Sequence, residues 1–264
     1  MYKHRIILLA IGICFLATAL KKPENKITIY TIGDSTMANK DTTNGNPERG
    51  WAMAFQPFFE AGKVVVENHA MNGRSTKSFI DEGRWKVVAD KLKKGDYVFI
   101  QFGHNDEKRE DPSRYADAQG AYKTNLKRYV EETRAKKANP VLMTPIIRRT
   151  FDNNGVLTNT HDDYPDAVRA LAEELNVPLI DMEKKTRHLI QPMGPEDSKS
   201  LFMWFPAGHS AAHPNGITDN THLNERGACL VAKEAAEGIR EQNLPLAGYL
   251  AACEHERHEN CRTR

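Results

Sequence analysis

Three residue types spread along this chain could together perform acyl transfer. Ser35 stands in Gly33-Asp34-Ser35, a glycine-containing turn directly after an apolar run. A serine held where a strand opens into a loop has a fixed backbone, yet its hydroxyl stays reachable. That hydroxyl is a poor nucleophile until a base removes its proton. His222 is the candidate base, and Asp219, three residues earlier, is the natural partner for its other ring nitrogen. Acyl transfer also needs donors aimed at the developing oxyanion. The backbone N–H groups of Ser35 and Gly73 and the side-chain N–H of Asn105 are the candidates. Taken singly, each has an ordinary explanation: turn bonding for Asp34 and Ser35, a turn glycine, a loop-capping amide, a solvated Asp–His pair.

The elements that must position these residues follow from pattern. Ile27–Ile32, Val64–Glu67, Tyr97–Phe102, Val141–Thr144 and Leu179–Asp181 read as short buried strands. Between the third and fourth, Tyr122, Leu126, Tyr129, Val130 and Thr133 recur at helical spacing. Ala167, Val168, Leu171, Ala172 and Leu175 do the same before the fifth. Asn224 is placed to cap a last helix through Ala228, Val231, Ala232, Ala235 and Ile239. Alternating strands and helices predict an α/β fold with a parallel sheet covered on both faces. Right-handed crossovers then bring Gly33-Asp-Ser35, the Asn68–Ser75 loop, Gly103-His-Asn-Asp106 and Asp219-x-x-His222 to one edge of the sheet. This convergence outweighs the ordinary explanations.

The N-terminus has a different character. Lys3-His4-Arg5 is basic, Ile6 to Leu16 is apolar, and Ala17-Thr18-Ala19 offers a small-residue cleavage site. That pattern predicts a signal peptide over residues 1–19, ahead of a single domain over 20–264 and export to the periplasm or beyond. Cleavage removes Lys3 and Arg5 and no acid, so the formal charge falls from +2 to zero. A balanced chain gives no global reason to expect nucleic acid or a membrane surface as partner. Of the remaining cysteines, Cys253 and Cys261 are spaced to close a loop in an oxidising compartment, and Cys229 reads as a buried free thiol in an alanine-rich helix. No Cys-x-x-Cys pair exists. His209 and His213 have metal-like spacing, but Pro214 and neighbouring glycines argue against the helix this would require, so no metal and no cofactor are expected.

The set Gly33-Asp-Ser-Thr36, Asn72-Gly73, Gly103-His-Asn-Asp106 and Asp219-x-x-His222 resembles the SGNH (GDSL-type) hydrolases, block by block and in order, over essentially the whole mature chain. Asn72–Phe79, His161–Val168 and Asp219–Asn224 look like its rhamnogalacturonan acetylesterase branch. The resemblance implies a three-layer α/β/α sandwich of flavodoxin-like type with a five-stranded parallel sheet. It also implies Ser35 as nucleophile, His222 as base and Asp219 as its orienter, with Ser35, Gly73 and Asn105 forming the oxyanion hole. The implied substrate is an acetylated plant cell-wall polysaccharide, with acetylxylan, lipid or thioester substrates as alternatives on the same machinery. A non-catalytic glycan-binding protein is the alternative of another class; it would have no need of Ser, His and Asp together. The α/β-hydrolase elbow Gly-x-Ser-x-Gly is absent, since Met37 follows Ser35-Thr36. Residues 191–218 match the family least and are expected to shape the substrate groove. Within them Trp204 is a candidate sugar platform, packing in a loop being its plainer role. Arg74, Lys77, Arg148 and Arg149 lie near strand ends and would as a group suit an acidic polysaccharide, each alone reading as a solvated charge.

Overall fold

The computed structural model describes residues 26–251; the expected signal peptide over residues 1–19 and the expected Cys253–Cys261 loop lie outside them. Five strands form the parallel sheet: β1 (Ile27–Gly33), β2 (Val64–Asn68), β3 (Tyr97–Gln101), β4 (Asn139–Met143) and β5 (Leu179–Ile180). Their order is β2-β1-β3-β4-β5. The helices are α1 (Thr76–Asp81), α2 (Arg84–Lys91), α3 (Lys123–Ala135), α4 (Tyr164–Glu174), α5 (Met182–Ile190), α6 (Gly194–Asp197) and α7 (Glu225–Glu241). A two-stranded antiparallel hairpin, β6 (Phe202–Phe205) and β7 (Ile217–Leu223), precedes α7.

All five residues of β3 are buried, as expected for a central strand covered on both faces. The period of two divides the core. Ile29, Phe99, Val141 and Met143 face Trp51, Phe55 and the apolar side of α7. Tyr30, Ile32, Val98, Ile100 and Leu142 face Phe79, Trp85, Leu126, Tyr129, Val168 and Leu171 from α1 to α4. Helices therefore cover both faces, as the pattern predicts, giving the three-layer α/β/α sandwich that the resemblance implies. The strand order turns back between β1 and β3, and the crevice at their carboxyl ends is where such sheets bind ligands.

Two glycines meet specific demands there. Gly33 pairs with Gln101 across β1 and β3, and a Cβ on it would lie 2.5 Å from the Gln101 carbonyl oxygen. Gly73 has φ +75°, the left-handed region that favours glycine. Asn224 caps α7 as predicted, its side chain accepting from the Gly227 N–H. Cys229 departs from expectation: it is disulfide-bonded rather than free. An alanine-rich helix face indicates packing but carries no sign of what approaches it.

Candidate active site

The turn after β1 is rigid because its neighbours are buried. Asp34 and Thr36 flank Ser35 and have essentially no exposed surface. Asp34 Oδ1 accepts from the Thr36 N–H at 2.9 Å and the Thr36 hydroxyl at 2.8 Å. Thr36 Oγ1 accepts from Gln101 Nε2 at 3.1 Å, and Gln101 Oε1 accepts from the Trp51 indole at 2.7 Å. Ser35 alone of the three turns toward solvent.

His222 approaches from the other side of the crevice. Its Nε2 lies 2.9 Å from Ser35 Oγ, and its Nδ1 lies 2.7 Å from Asp219 Oδ2. Asp219 and His222 are not in a plain turn, as their polar surroundings suggest, but on β7. Phe202 pairs with Leu223 while the next residue, Met203, pairs with Asp219, so Asn220, Thr221 and His222 bulge out of the ladder. Asp219 Oδ1 secures the bulge by accepting from the backbone of Thr221 at 2.6 Å and of His222 at 3.1 Å. Half-burial works against the Asp219 charge, but the bonds from His222 and Thr221 outweigh it and hold the carboxyl at about 2. It is an anion at neutral pH, suited to stabilise an imidazolium.

Arg149 clamps the same bulge. Its backbone N–H donates to Asn220 O at 2.8 Å, Nη1 to Asn220 Oδ1 at 2.7 Å and Nη2 to Pro195 O at 2.6 Å. At 6% exposure it is no solvated charge and has no free fork for a uronate. Arg148 is likewise engaged, with Glu107, the Thr160 carbonyl and His161. Trp204 donates its indole N–H to Asn220 Oδ1 at 2.9 Å and carries the cations of Arg149 and Lys199 against its ring at 4.8 and 4.7 Å. It also lines a cavity of about 470 Å³ with Phe205, His209 and Arg226. His209 stacks on Phe205 at 4.3 Å, and among the described residues no group of three or more His, Cys, Asp or Glu is placed to hold a metal.

The loops after β1, β2 and β3 are stitched together. The Met71 N–H donates to Gly33 O at 3.0 Å. Asn105, 4% exposed, donates from Nδ2 to Arg74 O at 3.1 Å, one residue from Gly73. Asp106 Oδ1 accepts from the Thr76 N–H at 2.9 Å and its hydroxyl at 2.5 Å, at the start of α1. Asp106 is fully buried and its Oδ2 has no partner. Burial, aided by the charge of Asp34 and opposed by Thr76, pushes it up to about 8, which favours the neutral acid up to that pH. His104 lies 3.3 Å from Asp34 and edge-on to His161 at 4.4 Å. Burial holds His104 at about 4 against the pull of Asp34. Arg74 pairs with Glu82 and Lys77 with Asp81, along a cleft of about 400 Å³ beside Gly73 that Arg114 also lines. Asp106 falls in a block that the sequence singles out, though only its contacts show what it does; Arg114 carries no signal in the sequence, and only its contacts bring it to the site.

The GDSL-like lipase/acylhydrolase family model matches residues 31–229, a span that contains every block described above. The chain belongs to the GDSL-like lipase/acylhydrolase family. As a member it is a carboxylic ester hydrolase. Within the family it is 43% identical over 239 residues to rhamnogalacturonan acetylesterase RhgT of Bacillus subtilis, covering 90% of this chain and 99% of that one. It is 37% identical over 219 residues to the probable rhamnogalacturonan acetylesterase YesY of the same organism, covering 83% and 94%. Among solved structures, Bacillus subtilis YxiM superposes with a TM-score of 0.72 at 26% identity, over 85% of this chain and 59% of that chain. The acetylxylan esterase Axe2 of Geobacillus stearothermophilus shares the fold, with a TM-score of 0.57 at 19% identity over 86% and 97% of the two chains.

Proposed function

We propose that this chain is an exported serine esterase that removes O-acetyl groups from plant cell-wall polysaccharide, rhamnogalacturonan foremost. The observation that carries the reading is the line from Ser35 Oγ through His222 to Asp219, at 2.9 and 2.7 Å. It stands in a chain 43% identical to a protein named as a rhamnogalacturonan acetylesterase. In this reading residues 1–19 direct export, and residues 20–264 form the hydrolase domain that acts in the periplasm or outside the cell.

Ser35 Oγ attacks the acetyl carbonyl while its proton passes to His222 Nε2. The charge that develops on the carbonyl oxygen meets the N–H groups of Ser35 and Gly73 and the Asn105 amide. The tetrahedral intermediate collapses, and the sugar alkoxide takes the proton from His222 and leaves. Water then gives its proton to His222 and attacks the acetyl-enzyme; acetate departs and Ser35 recovers its proton. Asp219 holds the imidazole in the tautomer bare at Nε2 and offsets its transient charge. Arg74 and Trp204 are the proposed sugar contacts. Arg74 would have to exchange its Glu82 pairing for a substrate group, and Trp204 would offer what its cations leave uncovered.

The test is acetate release from acetylated rhamnogalacturonan, acetylated homogalacturonan and acetylated xylan, with Ser35→Ala as control. The expected result is strong preference for a pectic polymer and no turnover by the variant. Equal release from all three polymers would remove the substrate assignment. Release by a folded, pure Ser35→Ala protein would remove the mechanism. A folded wild-type protein that releases nothing from any polymer would return the case for a glycan-binding role or another ester class.

A further inference from the structure

Asn105 is held at both ends of its amide. Nδ2 donates to Arg74 O at 3.1 Å, and Oδ1 accepts from Arg114 Nη1 at 3.4 Å. Arg114 is itself braced: its Nε donates to Asp111 Oδ2 at 2.5 Å and its backbone N–H to Asp111 O at 3.0 Å. Asp111 Oδ1 in turn accepts from the N–H and hydroxyl of Ser113 at 3.0 and 2.5 Å. The same Nη1 lies 3.9 Å from where a Cβ on Gly73 would stand. One guanidinium thus sits against Asn105 and close to Gly73.

A carboxamide has one acceptor oxygen and two N–H donors. Turned over, the Asn105 amide would set Oδ1 against the Arg74 carbonyl, acceptor to acceptor. It would also set the NH2 group against the guanidinium, donor to donor. Both ends therefore select one orientation. With one N–H spent on Arg74 O, the second remains for a developing oxyanion.

We infer that Arg114 is a positioning residue for acyl transfer, locking the Asn105 amide so that its second N–H stays directed at the oxyanion. This rests on the reading of Asn105 as an oxyanion donor. Arg114 does not touch the reacting atoms; it acts through Asn105, while the Asp111–Ser113 turn keeps the guanidinium from swinging into solvent.

A double-mutant cycle with 4-nitrophenyl acetate tests this, because so small an ester leaves the polysaccharide groove empty. Asn105→Ala alone should lower kcat on the order of a hundredfold. Arg114→Met should lower kcat on the order of tenfold with KM unchanged. Arg114→Lys, which keeps a cationic donor, should recover part of the loss. In the Asn105→Ala background, Arg114→Met should cost nothing more. If Arg114→Met fails to fold, Asp111→Ala loosens the same brace and should show a smaller loss that likewise vanishes in the Asn105→Ala background. A full-sized loss in that background would overturn the inference, since Arg114 would then act directly. So would a loss confined to KM, or no loss at all. An Asn105→Ala protein with undiminished kcat would instead sink the oxyanion reading on which the inference rests.

Discussion

Asp219→Asn separates the two duties of one carboxylate. Oδ1 accepts the N–H groups of Thr221 and His222, while Oδ2 meets His222 Nδ1. An asparagine can keep the first duty only by turning its NH2 group toward Nδ1. A donor there selects the tautomer protonated at Nε2, which cannot take the Ser35 proton. Reversing the amide would strand two backbone N–H groups, at about 1–1.5 kcal/mol each, or about 2–3 kcal/mol together. At about 1.4 kcal/mol per decade this sets a floor of roughly thirty- to hundredfold in kcat. Loss of the negative charge beside the imidazolium adds to it, toward the roughly ten-thousandfold known for such an exchange in serine proteases. The assay is kcat on an aryl acetate near neutral pH, with thermal unfolding as the fold control. Asp219→Ala is the companion variant: it strands the Thr221 and His222 N–H groups as well as freeing Nδ1, so it should lower both Tm and kcat, whereas Asp219→Asn should keep Tm. An Asp219→Asn enzyme within tenfold of wild type would refute the tautomer argument.

Other perturbations probe the frame around the site. Because Asp106 titrates at about 8 in the fold and near 4 when unfolded, the unfolded chain binds fewer protons between those values. Its contribution to stability is complete below about pH 4 and is lost as pH rises toward 8. Asp106→Asn should flatten that part of the profile of Tm against pH, and an unchanged slope would show that another group sets it. Gly33→Ala drives a Cβ to 2.5 Å from Gln101 O, which the sheet cannot yield without opening. A loss of about 1–3 kcal/mol and a Tm lower by several degrees are expected, whereas an unaltered Tm would mean that β1 and β3 have slack. Arg149→Met removes charged donors to Asn220 Oδ1 and Pro195 O, each bond worth about 1.5–3 kcal/mol. Both Tm and kcat should fall, the latter about tenfold as the His222 bulge loosens; kcat preserved in folded protein would show that the bulge holds without the clamp.

Much of this architecture is legible in the residues. A parallel sheet sends each strand-end loop to one edge, so Ser35, Gly73 and Asn105 could be gathered without a contact map. The covered faces of α3, α4 and α7 follow from spacing, and the α7 cap from Asn224. The β6–β7 hairpin was hidden because its bulge breaks the alternation where Asp219 and His222 sit. The Ser75–Ser78 capping box was a readable sign of α1 that passes for loop chemistry because the helix is only 6 residues long. Arg149 illustrates the limit of a charge-based reading, since an arginine beside a strand end looks the same solvated or buried. The proton on Asp106 depends on a burial that no spacing encodes. Arg114 meets Asn105 through a loop with no periodicity, and only geometry joins them.

The central claim is that Ser35 is the acylated nucleophile and that His222 activates it. Its most direct test is to label the protein with a fluorophosphonate and map the adduct by peptide mass spectrometry. The account predicts a single adduct on Ser35, absent in Ser35→Ala and formed far more slowly in His222→Ala. An adduct on any other residue, or labelling that persists at full rate in Ser35→Ala, would contradict it.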